Sequence, residues 1–287
     1  MKAEPAQTTA IRRALLWWFR WPGNPYVTIN VAVDFAPAQA YLAALGPPRV
    51  TVNHVVAAAI ARTLAKFPSA NARVVGKRIV RPPHVGIAMP VSLLGHAGGE
   101  RSEVALALLE RAETLTLRQV ADATTKTVAA EREGKPQNAL VRRITRLVEA
   151  APEPIVSGTL GLLDRAMQRS AVARQVYGRV PITTGLSNAG AAMGRPPGML
   201  FRGADIALPQ RIVHIGTFWG FSAVQDEVVA VDGRPVVRPM LPVLFLFDHR
   251  LLDGVMSARI LSHFGEILRN PAAEFGLDGH RAPGRPS

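Results

Sequence analysis

The sequence contains no cysteine, and only 6% of its 287 residues are aromatic. The absence of cysteine excludes disulfide bonds, thiolate-ligated metals and a cysteine nucleophile. No apolar run approaches the roughly 20 residues that a membrane-spanning helix needs. The run ALLWWF near the N-terminus is shorter than the apolar core of a secretory signal and precedes no small-residue cleavage site. We therefore expect a cytoplasmic protein.

Acidic residues are scarce relative to basic ones, with 21 Asp and Glu against 34 Lys and Arg, so the formal net charge is +13. Such an excess favours an anionic partner: a phosphorylated cofactor, an acidic carrier protein, nucleic acid or a membrane surface. Because the sequence has no zinc-finger spacing and no basic stripe interleaved with aromatics, we do not expect nucleic-acid binding. Alternatively, the arginine excess reflects only the codon preference of a GC-rich genome.

Strand and helix patterns alternate along most of the chain, and 48% hydrophobic residues suffice for a buried core. β-branched residues predict a strand over 26–35, and Asp232-Gly233 between two alternating runs predicts a tight hairpin. Helical spacing of apolar residues predicts three main helices, over 51–67, about 116–133 and 254–270. With no internal repeat and no second core, these elements predict a single α/β domain over 25–275, a mixed sheet with helices packed on it in two layers.

Three segments differ from this pattern. Residues 1–24 predict a helical arm rich in tryptophan, and we favour its packing on the protein's own domain or on a neighbouring subunit over membrane anchoring. Residues 135–180 are amphipathic and basic and predict a helical hairpin inserted into the domain. That hairpin is either a lid or acceptor-docking element, or a packing surface between domains or subunits. The polar residues 276–287 predict a disordered tail.

Two histidines invite a functional interpretation that the sequence does not favour. His54 stands near the predicted start of a helix, where a capping or packing role is commoner than ligation. His214 lies in the run 211–224, which predicts a strand, and its alternation with Val213 and Ile215 predicts a side chain that faces solvent or a partner.

The stretch DHRLLDG, residues 248–254, follows a buried apolar strand and precedes a helix. Its His249 stands at the end of the strand, and Asp253 follows four residues later at the helix start. Imidazole changes charge near neutral pH, so His249 could take a proton from a thiol or hydroxyl and later return it. Asp253 is either a group that holds the site's shape or simply a helix N-cap.

DHRLLDG after an apolar strand resembles the active-site signature of the dihydrolipoamide acyltransferase catalytic domain of 2-oxoacid dehydrogenase complexes, whose fold is shared with chloramphenicol acetyltransferase. The similarity continues in chain order. HVVAAAIARTLAKFPSANA resembles an early core helix, HVGIAMPV (84–91) a strand before a substrate loop, and EVALALLERAETLTLRQVA (103–121) the next strand and helix. GLSNAG (185–190) resembles a second signature. The resemblance covers residues 25–134 and 181–271.

The resemblance implies a mechanism. In that family the motif histidine, here His249, deprotonates the thiol of coenzyme A or of dihydrolipoamide for attack on the partner's thioester. The serine of the second signature, here Ser187, donates a hydrogen bond to the tetrahedral oxyanion, although Ser187-Asn188 could also be plain turn chemistry. The motif aspartate, here Asp253, is structural and pairs with an arginine from early in the chain, for which Arg20 is the candidate. Coenzyme A is then a substrate, and no metal is expected.

The resemblance also implies an assembly. Family trimers place the active site between subunits, so His249 would face Ser187 of a neighbour. The sequence shows no lipoyl or subunit-binding domain, so we expect a stand-alone form without its own lipoyl group. Its acceptor would be a lipoyl group or carrier thiol on a separate, acidic protein, or a hydroxyl on a metabolite. The polar 276–287 replaces the hydrophobic end that links family trimers, which predicts an isolated homotrimer. The competing hypothesis is a non-catalytic binding protein that uses a basic, tryptophan-bearing surface.

Overall fold

A mixed β-sheet organises the chain. The computed structural model describes residues 4–5, 24–92, 104–132, 152–171, 175, 180–188, 190, 198–206, 208 and 214–284. The strands are β1 (Glu4–Pro5), β2 (Tyr26–Asp34), β3 (Arg73–Val75), β4 (Arg78–Arg81), β5 (Ile87–Ser92), β6 (Val104–Leu109), β7 (Thr184–Asn188), β8 (Thr217–Phe221), β9 (Gln225–Val231) and β10 (Arg234–Asp248). The helices are α1 (Ala36–Ala44), α2 (Val52–Lys66), α3 (Leu117–Arg132), α4 (Glu153–Arg169), α5 (Gly254–Arg269) and α6 (Pro271–Phe275), and a 3₁₀ turn covers Ala112–Thr114.

Six strands of the main sheet follow one another in the order β2-β10-β8-β7-β5-β6, and β9 pairs with the first half of β10. β7 runs parallel to both β5 and β8, whereas the other neighbours in this sheet are antiparallel. β1, β4 and β3 form a separate small sheet. The predicted mixed sheet with helices packed on it is therefore confirmed.

The core lies between this sheet and the helices α2 and α5. Trp219 of β8 is the centre of its aromatic part, with its ring centroid 4.4 Å from that of Phe245 in β10 and 5.0 Å from that of Phe264 in α5. All three side chains are at most 1% exposed. Because burying one such side chain contributes roughly 1.5–3 kcal/mol, this cluster fixes the central strands against α5. The end of β10, where the DHRLLDG stretch begins, is thereby held rigidly.

Local sequence signals locate most elements but not all of them. The predicted Asp232-Gly233 hairpin is confirmed, with positive φ at both residues (49° and 74°), as a tight two-residue turn requires. The predicted strand over 211–224 is confirmed for β8 and is too long, because residues 214–216 and 222–224 are not part of a strand. Residues 211–213 lie outside the described residues. Helix α1 was not expected, because its alanine-rich sequence buries only Ala38 and Tyr41 and shows little amphipathic period.

The tail does not match the disorder that its composition predicts, at least as far as residue 284. Arg118 donates from Nε to the carbonyl oxygen of Asp278 at 2.9 Å, and Tyr41 donates from its hydroxyl to the carbonyl oxygen of Gly276 at 2.8 Å. Backbone bonds from Arg281 to Phe275 and from Arg118 to Gly279 hold the segment further. Composition missed these contacts because the partners come from distant parts of the chain.

The inserted segment is described only in part. Helix α4 falls inside the predicted hairpin of 135–180 and agrees with its second helical segment. The first segment of that hairpin lies outside the described residues. So does the predicted N-terminal helical arm of 1–24, except for Asn24 and for Glu4–Pro5, which form the short strand β1 and not a helix. Among the described helices, none is long and apolar enough to cross a membrane.

Candidate active site

The turn that follows β10 fixes the orientation of His249. Its backbone N–H donates to the carbonyl oxygen of Pro25 at 2.8 Å, which ties the turn to the start of β2. Its ring Nδ1 lies 2.8 Å from the carbonyl oxygen of Leu252. A carbonyl oxygen can only accept, so Nδ1 carries the proton of the neutral ring and the lone pair lies on Nε2. The half-buried ring also stands edge-on to Phe247, with centroids 6.1 Å apart.

The residues on the two sides of His249, Asp248 and Arg250, form a largely buried ion pair. Asp248 is 2% exposed and receives hydrogen bonds from Arg250 through its backbone N at 2.9 Å, its Nε at 2.9 Å and its Nη2 at 2.6 Å. The backbone N–H of Asp248 in turn donates to the carbonyl oxygen of Gly216 at 2.9 Å. Because the residues on both sides of His249 are locked to each other, its main chain has little freedom to shift.

Asp253 caps helix α5. Its side chain accepts from the backbone N–H of Met256 at 2.8 Å, and its carbonyl oxygen accepts from the hydroxyl of Ser257, also at 2.8 Å. The N-cap interpretation of Asp253 is therefore confirmed, and the carboxylate also suits the positive end of the helix dipole. Arg20, its predicted partner, lies outside the described residues, so that pairing stays a prediction.

Ser187 lies near the end of β7, where the chain leaves the sheet. The next residue, Asn188, donates from its side-chain Nδ2 to the Oδ1 of Asn53 at 2.6 Å, which joins this turn to the first turn of α2. The backbone at Gly190 lies so close to β8's end that a Cβ there would lie 1.9 Å from the backbone N of Ala223. Only glycine fits at this point of the GLSNAG signature.

The strand register separates Ser187 from His249 within one protomer. Ser187 pairs with Gly220 of β8, and Gly220 pairs with Leu244 of β10. His249 follows Leu244 by five residues, which is about 16 Å along the strand direction, and two interstrand spacings of about 4.8 Å add to it. A base and an oxyanion donor must both lie about 3 Å from the reacting atoms. The structure thus places both residues at sheet ends but does not bring them together in a single chain.

Two further histidines do not join this site as ligands. The Nδ1 of His54 accepts from the backbone N–H of Thr51 at 3.2 Å, which confirms the capping role, and burial lowers the pKa of this imidazole. His214 is half-buried and its Nε2 is buried, so this nitrogen does not face solvent. That the side chain faces a partner stays a prediction. Residues 214–216 are not part of a strand, so the alternation argument does not apply there. Within the described residues, no group of three His, Asp or Glu side chains could hold a metal ion.

Two contacts of this region were not expected from the sequence. Asn53 and Asn188 are 135 residues apart in the chain, and no local pattern signals that their side chains bond. The Asp248 and Arg250 side chains lie within the recognised motif, but spacing alone cannot tell a buried ion pair from two solvated charges. Both become visible only when the sheet register is known.

A family model matches more than half of the chain. Its description is the catalytic domain of the 2-oxoacid dehydrogenase acyltransferases, and it matches residues 22–144 and 215–275. The matched part contains His249 and Asp253 but not Ser187. The unmatched interval includes helix α4.

Relatives similar in sequence carry a related description. The dihydrolipoyllysine-residue succinyltransferase components of the 2-oxoglutarate dehydrogenase complexes of Haemophilus influenzae and Escherichia coli are each 36% identical to this chain over 52 residues. Each match covers 18% of this chain and 13% of the relative's length. These relatives are therefore far longer than the segment they share with it.

Solved structures share the fold over nearly the whole chain. A dihydrolipoamide acetyltransferase of Azotobacter vinelandii is 18% identical with a TM-score of 0.60, covering 94% of this chain and 93% of that one. The catalytic mechanism of that enzyme has been investigated at a serine, a histidine and an asparagine four residues after the histidine. A chloramphenicol acetyltransferase is 15% identical with a TM-score of 0.50, covering 94% of this chain and 99% of that one. At these identities the similarity establishes the fold.

Proposed function

The chain belongs to the family of 2-oxoacid dehydrogenase acyltransferases, as a catalytic domain, and from this premise we propose that it moves an acyl group between coenzyme A and a thiol or hydroxyl acceptor. The basic excess of the sequence suits the phosphates of coenzyme A and an acidic carrier protein. The acceptor is a lipoyl group on a separate protein, a carrier-protein thiol or a hydroxyl of a metabolite.

The observation that carries the proposal is the bond between Nδ1 of His249 and the carbonyl oxygen of Leu252. It holds the imidazole in the tautomer whose Nε2 can accept a proton. The Asp248–Arg250 pair and the bond to Pro25 keep that nitrogen's position fixed. A preoriented base of this kind typically contributes 10²–10⁴-fold to the rate of proton transfer.

The reaction would proceed in two steps. Nε2 of His249 removes the proton of the attacking thiol or hydroxyl, and the resulting anion adds to the carbonyl carbon of the acyl thioester. The hydroxyl of Ser187 donates a hydrogen bond to the oxyanion that forms, a contribution of roughly 2.7–4 kcal/mol by analogy with other oxyanion holes. The intermediate then expels the departing thiolate, which takes the proton back from His249.

The separation of Ser187 from His249 within one protomer favours a site shared between two copies of the chain. A cyclic homotrimer would supply three such sites, each with His249 from one subunit and Ser187 from the next. In the structurally similar Azotobacter vinelandii enzyme, a serine and a histidine were both investigated for their role in the catalytic mechanism. Oligomerisation then becomes a condition for activity.

A subunit-mixing experiment tests both the roles and the shared site. Free coenzyme A released from acetyl-CoA and succinyl-CoA, separated from the acceptor by chromatography, is measured with free dihydrolipoamide as acceptor for His249→Gln and for Ser187→Ala alone. Each variant should lose about 10²-fold or more. After the two are unfolded together and refolded, about one quarter of the sites in random trimers should combine an intact His249 with an intact Ser187 and regain activity.

The opposite results are equally informative. If mixing restores nothing while a mixture of wild type and variant refolds well, the shared site is wrong. If wild type and His249→Gln release thiol equally with every acceptor, the enzyme assignment fails, and a non-catalytic binding protein becomes the better description.

A further inference from the structure

Helix α4 is attached to the domain at its C-terminal end. Of its described side chains, Met167 alone is buried, and it packs with Val75, Val80 and Val180. At Gly76 in the β3–β4 turn, a Cβ would lie 2.8 Å from the carbonyl oxygen of Gln168. This close approach fixes the last turns of α4 beside the β3–β4 turn and leaves the rest of the helix exposed.

The exposed face of α4 combines apolar and cationic side chains. Ile155, Leu162 and Arg169 are seven residues apart and so lie on one line along the helix. Ile155 is 60% exposed and Leu162 is 67% exposed. A shallow surface depression of about 530 Å³ lies at the C-terminal half of the helix, lined by Leu162, Arg165, Ala166, Arg169 and Ser170. Large apolar side chains exposed together mark an interaction site more often than scattered ones do.

The neighbouring β3–β4 turn adds positive charge to the same region. Lys77 and Arg78 follow Gly76 directly and are exposed, as are Arg165 and Arg169. A basic residue in the last turn of a helix stabilises its dipole, which accounts for Arg169 but not for cations on a different element. Among the described residues, neither Arg165 nor Arg169 has a salt-bridge partner. We call the set Leu162, Arg165, Arg169, Lys77 and Arg78 the helix–turn surface.

Strand β3 connects the helix–turn surface to the His249 turn. Its last residue, Val75, contacts Met167 of α4. At its other end, the carbonyl oxygen of Ala72 would lie 2.0 Å from a Cβ at Gly216, and Gly216 accepts the backbone bond of Asp248. Ala72 and Val75 are three residues apart, about 10 Å along the strand. Burial lowers the pKa of the His214 imidazole, two residues before Gly216, and the charge of Asp164 in α4 partly offsets this effect.

We propose that the helix–turn surface docks an acidic protein domain whose thiol-bearing arm then reaches the His249 site. The inference rests on the proposed function, because it supplies the acceptor for that reaction in trans. The four cations of the surface are complementary to an acidic domain, and Leu162 provides an exposed apolar anchor beside Arg165.

Two other occupants fit this surface less well. A helix that lies on a membrane separates its basic residues from its apolar face, whereas Arg169 lies on the same line as Ile155 and Leu162. A second copy that met this surface with its own helix–turn surface would bring like charges together. Both remain possible outcomes of the test.

The test compares a docked acceptor with one that needs no docking. The probe is a reduced lipoyl domain of net negative charge, and the reference acceptor is free dihydrolipoamide. Arg165→Glu combined with Arg169→Glu should lower kcat/KM for the domain by about tenfold or more at low salt, and leave free dihydrolipoamide within about twofold. Arg234→Glu combined with Arg259→Glu makes the same charge change at exposed positions elsewhere and should affect neither acceptor.

A second pair of variants tests the apolar anchor. Leu162→Asn should weaken binding of the domain, measured directly by fluorescence anisotropy, whereas Val228→Asn should not, although Val228 is 70% exposed and thus a close match. The docking surface would be overturned if each variant and its control lost the same affinity for the domain. It would also be overturned if the arginine variant lowered kcat/KM equally for the domain and for free dihydrolipoamide.

The outcomes also separate this inference from the proposed function. Transfer to free dihydrolipoamide without any binding of the domain overturns the docking surface alone. Binding of the domain without transfer to either acceptor overturns the enzyme assignment and leaves the surface standing. If the arginine variant instead loses affinity for anionic vesicles or changes oligomeric state, with domain binding unchanged, the surface serves a membrane or a second copy and the proposal is wrong.

Discussion

Asn188 donates from its side-chain amide to the side-chain oxygen of Asn53 at 2.6 Å, so the turn after Ser187 is tied to the first turn of helix α2. An oxyanion donor acts only if its position is fixed before the reaction. The bond therefore links the placement of the Ser187 hydroxyl to a core helix that is otherwise remote from it in the chain.

Removing this bond should slow the chemical step more than it weakens substrate binding. Asn53→Leu keeps the side-chain shape but removes the acceptor, and we expect a fall in kcat with the KM for acyl-CoA nearly unchanged. We expect the same of Asn188→Leu. The double variant should be no slower than either single variant, because each one already removes the bond. The coupling free energy between the two side chains should be about 0.5–1.5 kcal/mol, as for a neutral hydrogen bond. Additive losses in the double-mutant cycle would show that the bond does not act as a unit.

Asp253 should tolerate asparagine but not alanine. Asparagine also caps helices, and an asparagine stands four residues after the histidine in the Azotobacter vinelandii enzyme. We expect Asp253→Asn to keep both the unfolding free energy and the turnover near wild type. Asp253→Ala should lose about 0.5–2 kcal/mol in urea unfolding. A large loss of turnover in a fully stable Asp253→Asn protein would instead point to a direct role of the negative charge.

The Asp248–Arg250 pair should matter for both stability and turnover. Asp248→Asn leaves the largely buried Arg250 guanidinium without its counter-charge, which should cost about 3 kcal/mol of unfolding free energy. Combining it with Arg250→Gln should recover part of that loss, because no uncompensated charge remains. Turnover should stay low in both proteins, since the ion pair that holds the main chain on both sides of His249 is absent. Urea unfolding and thiol release, measured on the same preparations, check the two parts separately.

His54 should make stability fall in mild acid. Burial lowers the pKa of its imidazole, an effect that Asp122 partly offsets. With the folded-state pKa below the unfolded value of about 6.5, the unfolded state binds more protons in that interval, so stability is lost as the pH falls below about 6.5. Protonation also converts Nδ1 from an acceptor into a donor, which breaks the bond to Thr51.

His54→Gln separates this contribution from that of other groups. Glutamine at the same helix position keeps an acceptor for the Thr51 N–H without titrating. Between about pH 7.5 and about pH 5.5, wild type should lose more unfolding free energy than the variant. An identical loss in both proteins would show that His54 does not contribute.

Features with a short-range signal could be predicted from the sequence. The helices α2, α3 and α5 follow from apolar spacing, and the β9–β10 turn follows from Asp232-Gly233, because their causes lie within a few residues. Helix α1 has no such period, and the strand predicted over 211–224 is interrupted where Gly216 packs against the β3 segment. The position of His249 at the end of a buried strand was predicted for the same local reason.

The long-range parts of the site could not be predicted in this way. The Asn53–Asn188 bond, and the contacts of Arg118 and Tyr41 that hold the tail, join residues far apart in the chain. The distance between Ser187 and His249 depends on the register of three strands, which no single segment encodes. The resemblance to a known family supplies the roles proposed for these two residues, and the register supports the proposal that the site is shared between two subunits.

The attachment of helix α4 through Met167 and the close contact at Gly76 has an evolutionary consequence. The main hydrophobic core does not include Met167, so the helix can change its exposed face, lengthen or disappear without disturbing the packing that holds His249. If helix α4 docks the acceptor as proposed, the choice of partner and the proposed acyl-transfer chemistry are inherited separately. A lineage could acquire a new acceptor through substitutions in one helix, while selection on the DHRLLDG turn remained unchanged.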